Sequence, residues 1–203
     1  MKRDYSEKER FHFLAHEKGV PSRAFFKIEE IVDRVIKRRF EKVIDLGCFP
    51  GGWSSFLLKR ADFVVGVDLK ETSINDKGFR FIMGDVREEE TIEKIERVVN
   101  SVDAVFSDMS PKISGISATD QERAFELFLA FLKVARKFLK KGGVGVVKVF
   151  YGERFESILK EMRKCFKTVK VFKPSASMRS AKEVYLVGIN FKKEVENGLH
   201  PCN

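Results

Sequence analysis

From Lys42 onward the chain alternates short runs rich in Val, Ile and Phe with stretches of helical periodicity, and that alternation restricts the fold most. The runs are KVIDLGC (42–48), DFVVGVD (62–68), FRFIMGD (79–85), DAVFSD (103–108), GGVGVVKVF (142–150), TVKVF (168–172) and EVYLVGINF (183–191). The first five are near-continuous apolar stretches, as strands covered on both faces require. Between the fourth and fifth, Phe125, Phe128, Leu129, Leu132, Ala135 and Leu139 recur at steps of three and four. That spacing predicts a helix over 121–140, with Asp120 as N-cap and Gly142-Gly143 as its stop. Residues 22–39, opened by Ser22 after Pro21, read as another helix, and 87–99 and 153–165 as shorter ones. Strands alternating with helices predict an α/β fold, a mostly parallel seven-stranded sheet with helices on both faces. The loop joining the last two strands has no room for a crossover helix, so those strands are expected to pair antiparallel or sit apart. With no repeat and no dividing linker, residues 1–203 read as a single domain. Within it, 1–40 form a basic helical extension and 192–203 a polar tail.

Charge is unevenly spread. The formal net charge is +9, with 39 Lys and Arg against 30 Asp and Glu. Residues 1–40 are net +4 and residues 160–193 net +8, whereas 41–159 are net −1. Two basic ends around a neutral centre predict one basic surface for a polyanion if the fold brings the ends together. Cys48, Cys165 and Cys202 are far apart, lack metal-ligand spacing, and suit a reducing cytosol. His12, His16 and His200 complete no site with them, and no metal is expected. The opening MKRDYSEKER has no apolar core segment, and no run approaches the ~20 apolar residues of a bilayer span, so a cytoplasmic protein is expected.

The segment DLGCFPGGWSS (45–55) follows the first strand and opens a helix. Gly47 permits a tight turn, and Gly51 and Gly52 admit a ligand close to the backbone. Free N–H groups at the helix start favour a carboxylate or phosphate. Asp68, ending the second strand, is placed to accept hydrogen bonds from ribose hydroxyls, and Asp85, ending the third, to meet an adenine amino group. The three elements describe a pocket for an adenosine-containing ligand without a phosphate-binding P-loop lysine. S-adenosylmethionine fits that description better than ATP or NAD.

Four further segments complete the pattern: SRAFFKIEEI (22–31), VFSDMSPKISG (105–115), VVKVFYGERF (146–155) and KPSASMRSAKEVYLV (173–187). Together with DLGCFPGGW, the chain resembles the FtsJ/RrmJ (RlmE-type) family of ribosomal RNA ribose 2′-O-methyltransferases from about residue 20 to 191. The resemblance implies a Rossmann-like methyltransferase fold, S-adenosylmethionine as the methyl donor, and a catalytic tetrad that falls here on Lys27, Asp108, Lys148 and Glu183. The cofactor residues it implies are Gly51, Trp53, Asp68, Asp85 and Asp108. Lys148 would take the proton of the ribose hydroxyl, or only orient that hydroxyl, with Lys27 and Glu183 holding lysine and ribose in place. The chain departs from the family at Cys48-Phe49, where small residues are common, and at Lys112, often Asn.

The substrate implied is RNA: a uridine in large-subunit ribosomal RNA first, the anticodon loop of a transfer RNA second. A ribosome-assembly factor that binds S-adenosylmethionine without depending on transfer, and a small-molecule methyltransferase, are the remaining alternatives. Arg3, Lys8, Arg10, Lys37, Arg38 and Arg39 at the front and Lys170, Lys173, Arg179 and Lys182 at the back are expected to flank one cleft and contact phosphates. Phe25 and Tyr151 could stack on a base or serve as packing. A monomer is expected.

Overall fold

The computed structural model describes residues 7–111, 117–177 and 182–192, without the side chains of 7–10, 12, 117 and 118. In chain order the elements are α1 (Glu7–Glu17), α2 (Ala24–Ile31), a π-helical turn (Val32–Ile36), β1 (Phe40–Leu46), α3 (Gly52–Leu57), β2 (Ala61–Asp68), β3 (Phe79–Met83) and α4 (Glu89–Glu96). There follow β4 (Val102–Ser107), α5 (Ser117–Phe138), β5 (Leu139–Phe150), α6 (Phe155–Cys165), β6 (Phe166–Phe172) and β7 (Glu183–Phe191). The seven strands form one sheet in the order β3-β2-β1-β4-β5-β7-β6. The pairs among β1 to β5 are parallel, while β7 runs antiparallel to both neighbours, β5 and β6. The mixed sheet expected from the sequence is therefore present, and β7 sits inside it, between β5 and β6.

Alternation along each strand builds two cores. On β4, Val105 faces a cluster with Phe128, Phe131, Phe138 and Ile158 from α5 and α6, whereas Ala104 and Phe106 face one with Phe25, Ile28, Trp53 and Phe56 from α2 and α3. On β7, Val184 and Leu186 join the first cluster, Tyr185 and Val187 the second. Each face removes large apolar side chains from water at about 25 cal/mol per Å², so the sheet needs helices on both sides. Gly145 of β5 and Gly188 of β7 are cross-strand partners, and the Phe166 ring lies on both. A Cβ at either position would stand 2.5 Å from that ring.

Three helix boundaries differ from the periodicity. The long helix begins at Ser117, so Asp120 lies in its first turn and is no N-cap. It ends at Phe138, and Gly142-Gly143 lie inside β5, where they do not stop the helix. Leu139 already pairs with Val102 and Val144 pairs with Ala104, so the glycines absorb a register shift, with Gly142 at φ +79°. The segment 22–39 is two pieces: α2 widens into the π-helical turn, and Lys37, at φ 57°, closes it by donating its N–H to the Val32 carbonyl (2.7 Å). Ser22 makes no cap hydrogen bond, and Arg23 holds the N-cap position of α2.

Candidate active site

Parallel sheets bind ligands beyond the carboxyl ends of their strands, and a cleft of about 700 Å³ opens there, over β1, β2, β3 and β4. That volume lies within the range of pockets for a drug-sized molecule. Gly47, Asp68, Asp85 and Asp108 line it, with Phe49 and Leu69 among the apolar walls. Gly47 has φ +79°, and a Cβ there would stand 2.9 Å from Met109, so the turn out of β1 accepts only glycine without a shift. Both Asp68 oxygens are fixed by backbone amides, Phe49 N–H (2.9 Å) and Lys70 N–H (3.0 Å), and a carboxylate oxygen can accept a second donor beside such a bond. Asp85 is held by Arg87, whose Nη2 stands 2.6 Å from Oδ2, and this partner holds its carboxyl below the usual range. Gly51, Gly52 and Trp53 stand outside the lining. Trp53 is buried against Phe106 and Tyr185, with ring centroids 6.3 and 5.6 Å away, and its Nε1–H has no partner in the structure.

Beneath the Gly-rich turn lies Asp45, fully buried. Its Oδ2 accepts the Ser54 hydroxyl (2.6 Å) and its Oδ1 has no partner. Burial, with Asp108 and Asp68 nearby, pushes its carboxyl up to about 7. Burial also pushes the Cys48 thiol up, which keeps it protonated and poorly nucleophilic.

Lys27, Asp108, Lys148 and Glu183 converge at the edge of this cleft. Lys148, two residues from the end of β5, donates to the Asp108 carbonyl (2.6 Å) and lies 3.2 Å from Asp108 Oδ1. Tyr185, the cross-strand partner of Lys148, donates its hydroxyl to the same Oδ1 (2.7 Å). Lys27, from α2, donates to the Tyr185 oxygen (3.2 Å) and to Glu183 Oε1 (2.5 Å), which also accepts the Ser177 hydroxyl (2.9 Å). Lysine and carboxylate alternate through a shared phenol, so two buried cations are each matched by an anion. Without such partners the desolvation of either lysine would be prohibitive.

Tyr185 is the member that the motif reading missed. It is 0% exposed, and burial raises its hydroxyl well above its ordinary value, so it stays a neutral donor. The available signal was strand alternation, which puts residue 185 on the same face as residue 183. Among the basic residues, Lys37, Arg38 and Arg39 do not flank the cleft, which corrects the expectation for them. They precede β1 at the amino edge of the sheet, where Arg38 donates to the Asp103 carbonyl (3.2 Å) and Arg39 to the Lys59 carbonyl (3.0 Å). Arg3, Lys112 and Arg179, and the side chains of Lys8 and Arg10, lie outside the described residues. Phe25 is core. Among the described residues no group of three or more His, Cys, Asp or Glu is placed to hold a metal, and no helix is long and apolar enough to cross a membrane.

The strand order, with an antiparallel strand set between the fifth and sixth, and a cofactor-sized cleft over the first strands, is that of the Rossmann-like methyltransferases. A family model described as FtsJ-like methyltransferase matches residues 20–191, and the chain belongs to that family. It is 41% identical over 181 residues to the ribosomal RNA large subunit methyltransferase E of Dechloromonas aromatica, covering 86% of this chain and 88% of the relative. Proteins of the same description from Bdellovibrio bacteriovorus (38% identity, 93% of this chain, 99% of the relative) and Methanothrix thermoacetophila (37%, 93% and 74%) are similar to it. A crystal structure of a Plasmodium falciparum protein described as a ribosomal RNA methyltransferase superposes with a TM-score of 0.76 at 23% identity, over 86% of this chain and all of that one. At that identity the likeness bears on the fold alone.

Proposed function

We propose that this methyltransferase transfers the methyl group of S-adenosylmethionine to a ribose 2′-hydroxyl in RNA, with a uridine of large-subunit ribosomal RNA the leading acceptor. The observation that carries the reading is Asp108, which both lines the cofactor-sized cleft and anchors Lys148. Acceptor and donor groups would thus meet at one carboxylate. The curated relatives named for large-subunit ribosomal RNA support the choice of substrate. The cleft suits the cofactor chemically, because Asp68, Asp85 and Asp108 are acceptors for hydroxyl and amino donors and favour positive charge. When bound, S-adenosylmethionine supplies a methyl group on a positively charged sulfur.

Transfer of that methyl to an oxygen demands alignment and loss of the hydroxyl proton. Lys148 uses two directions of its amino group on Asp108, its carbonyl and its Oδ1, which leaves the third for the methyl acceptor. After releasing its own proton to water, Lys148 as the neutral amine keeps two N–H bonds on Asp108, turns its lone pair to the 2′-hydroxyl, and receives that proton as the new carbon–oxygen bond forms. Asp108 balances the ammonium that results. Lys27 and Glu183, locked by Tyr185 and Ser177, fix the opposite wall and hold the ribose. No step calls for a metal. The enzyme acts in the cytoplasm as a monomer in this reading.

The test is transfer of labelled methyl to total RNA and to large ribosomal subunits, followed by digestion to nucleosides. A labelled 2′-O-methyluridine, better formed on ribosomal than on transfer RNA, is expected. Label confined to a base would overturn the tetrad assignment. Lys148→Ala should bind S-adenosylmethionine normally and lose transfer by a factor of at least about 10³, the upper part of the range for removing a proton acceptor.

A further inference from the structure

A second cavity, of about 210 Å³, lies on the other side of the end of β5. Pro111, Ala124, Val149, Phe150, Tyr151 and Ile158 form its apolar walls, and Asp120, Gln121, Arg154 and Lys182 its polar groups. Lys148 points to the α2 face of the sheet and its neighbour Val149 to the α5–α6 face. The cavity and the tetrad are therefore back to back on one strand end. Pro111 also lines the cofactor-sized cleft, and Lys182 precedes Glu183. Pro111 therefore joins this cavity to the cleft, and the end of β5 joins it to Lys148.

We propose that this cavity is a subsite for a single unpaired nucleobase of the RNA substrate, next to the ribose that is methylated. The inference rests on the reading of the enzyme as an RNA ribose methyltransferase. Size argues for one base, since about 210 Å³ falls below the range for whole drug-sized ligands. Chemistry argues the same way, because unpaired RNA bases are read by stacking on aromatic rings with polar groups at their edges. Tyr151 is 47% exposed, with its ring held against Phe155 at 4.6 Å between centroids. Its backbone N–H donates to the Lys182 carbonyl (2.9 Å), and Gln121 Oε1 accepts the Glu153 N–H (3.1 Å). Arg154 is set by Glu122 (2.8 and 2.5 Å) and lies over Phe125 at 5.1 Å. The walls are thus fixed before any ligand arrives. The cavity supplies an apolar slot with acceptors and donors at its rim, as a flat heterocycle requires.

The experiment has two arms, both on the full chain saturated with S-adenosylhomocysteine or S-adenosylmethionine. In the first, uridine 5′-monophosphate is titrated while the 13C-methyl signal of Ile158 is followed. A saturable shift is expected, lost in Tyr151→Ala and in Ala124→Phe, which fills the slot. In the second, both variants should raise the KM for the RNA acceptor about tenfold, the loss of one stacked base. Cofactor affinity and kcat should stay at wild-type values, which also shows that the variants fold. An unmoved Ile158 signal, a shift that survives in Tyr151→Ala, or wild-type KM in both variants overturns the subsite. A wild-type enzyme that transfers nothing to RNA overturns the functional reading instead, and the nucleotide titration then decides the subsite by itself.

Discussion

At the scale of single residues, Asp45 and Tyr185 show how the site is held from below. Folding moves the Asp45 carboxyl from its ordinary 3.8 to about 7. Between these values the folded chain keeps a proton that the unfolded chain has released, so stability falls as pH rises from about 4 to 7 and then levels. The full displacement corresponds to about 4 kcal/mol. Asp45→Asn, which can still accept the Ser54 hydroxyl, should therefore raise Tm at pH 8 and lose that advantage at pH 4. Parallel melting curves for the two proteins across that range would contradict the buried-acid account. Tyr185→Phe takes one partner from Asp108 and one from Lys27, leaving Lys148 and Glu183 still paired with them. Chemical denaturation should show a loss of about 1–3 kcal/mol, and turnover should fall far less than in Lys148→Ala. The four charged residues were legible because short motifs carry them. Tyr185 was not, because its role exists only after β5 and β7 pair, and Asp45 was hidden because its neighbour Gly47 accounted for the same motif.

Among the elements, the edge of the sheet is decided by an aromatic ring on a glycine pair. Phe166 is 1% exposed and covers Gly145 and Gly188, which face each other across β5 and β7. Gly188→Ala puts a methyl where the ring sits, an overpacking that costs about 1–3 kcal/mol. Phe166→Ala opens a cavity instead and costs about 3–5 kcal/mol. Because the two share one contact, the double variant should recover part of the sum in a double-mutant cycle; strict additivity would show that ring and glycines do not meet. Strand identity was readable from β-branched runs and their alternation. Strand boundaries were read less well where glycine served two ends: Gly142-Gly143 look like a helix stop and act as a register shift, since Leu139 already has a partner in Val102. The insertion of β7 between β5 and β6 follows no local signal and comes from burying Tyr185 and Leu186 on opposite faces.

For the whole molecule, described basic residues stand at both edges of the sheet. Lys173 and Lys182 belong to the carboxyl edge with the site, Arg38 and Arg39 to the amino edge. In the proposed function, Lys173→Glu and Lys182→Glu should weaken RNA binding and flatten its dependence on salt by about one in log–log slope each. Arg39→Ala should leave both unchanged. Equal effects at both edges would mean that the RNA wraps the sheet. Composition showed that the ends are basic, and only the fold could sort one group of cations from the other.

The salt bridge between Lys27 and Glu183 joins positions 156 residues apart. During synthesis the two cores can begin to close on the first strands, but the charge chain cannot. Until β7 has left the exit tunnel, Lys27 lacks Glu183 and Tyr185, and Lys148 lacks the strand against which it lies. In the proposed function, a nascent chain of this protein therefore carries a nearly finished cofactor-sized cleft beside an unassembled acceptor wall. Competence for transfer would arrive in a single late step, when the last strand slides in.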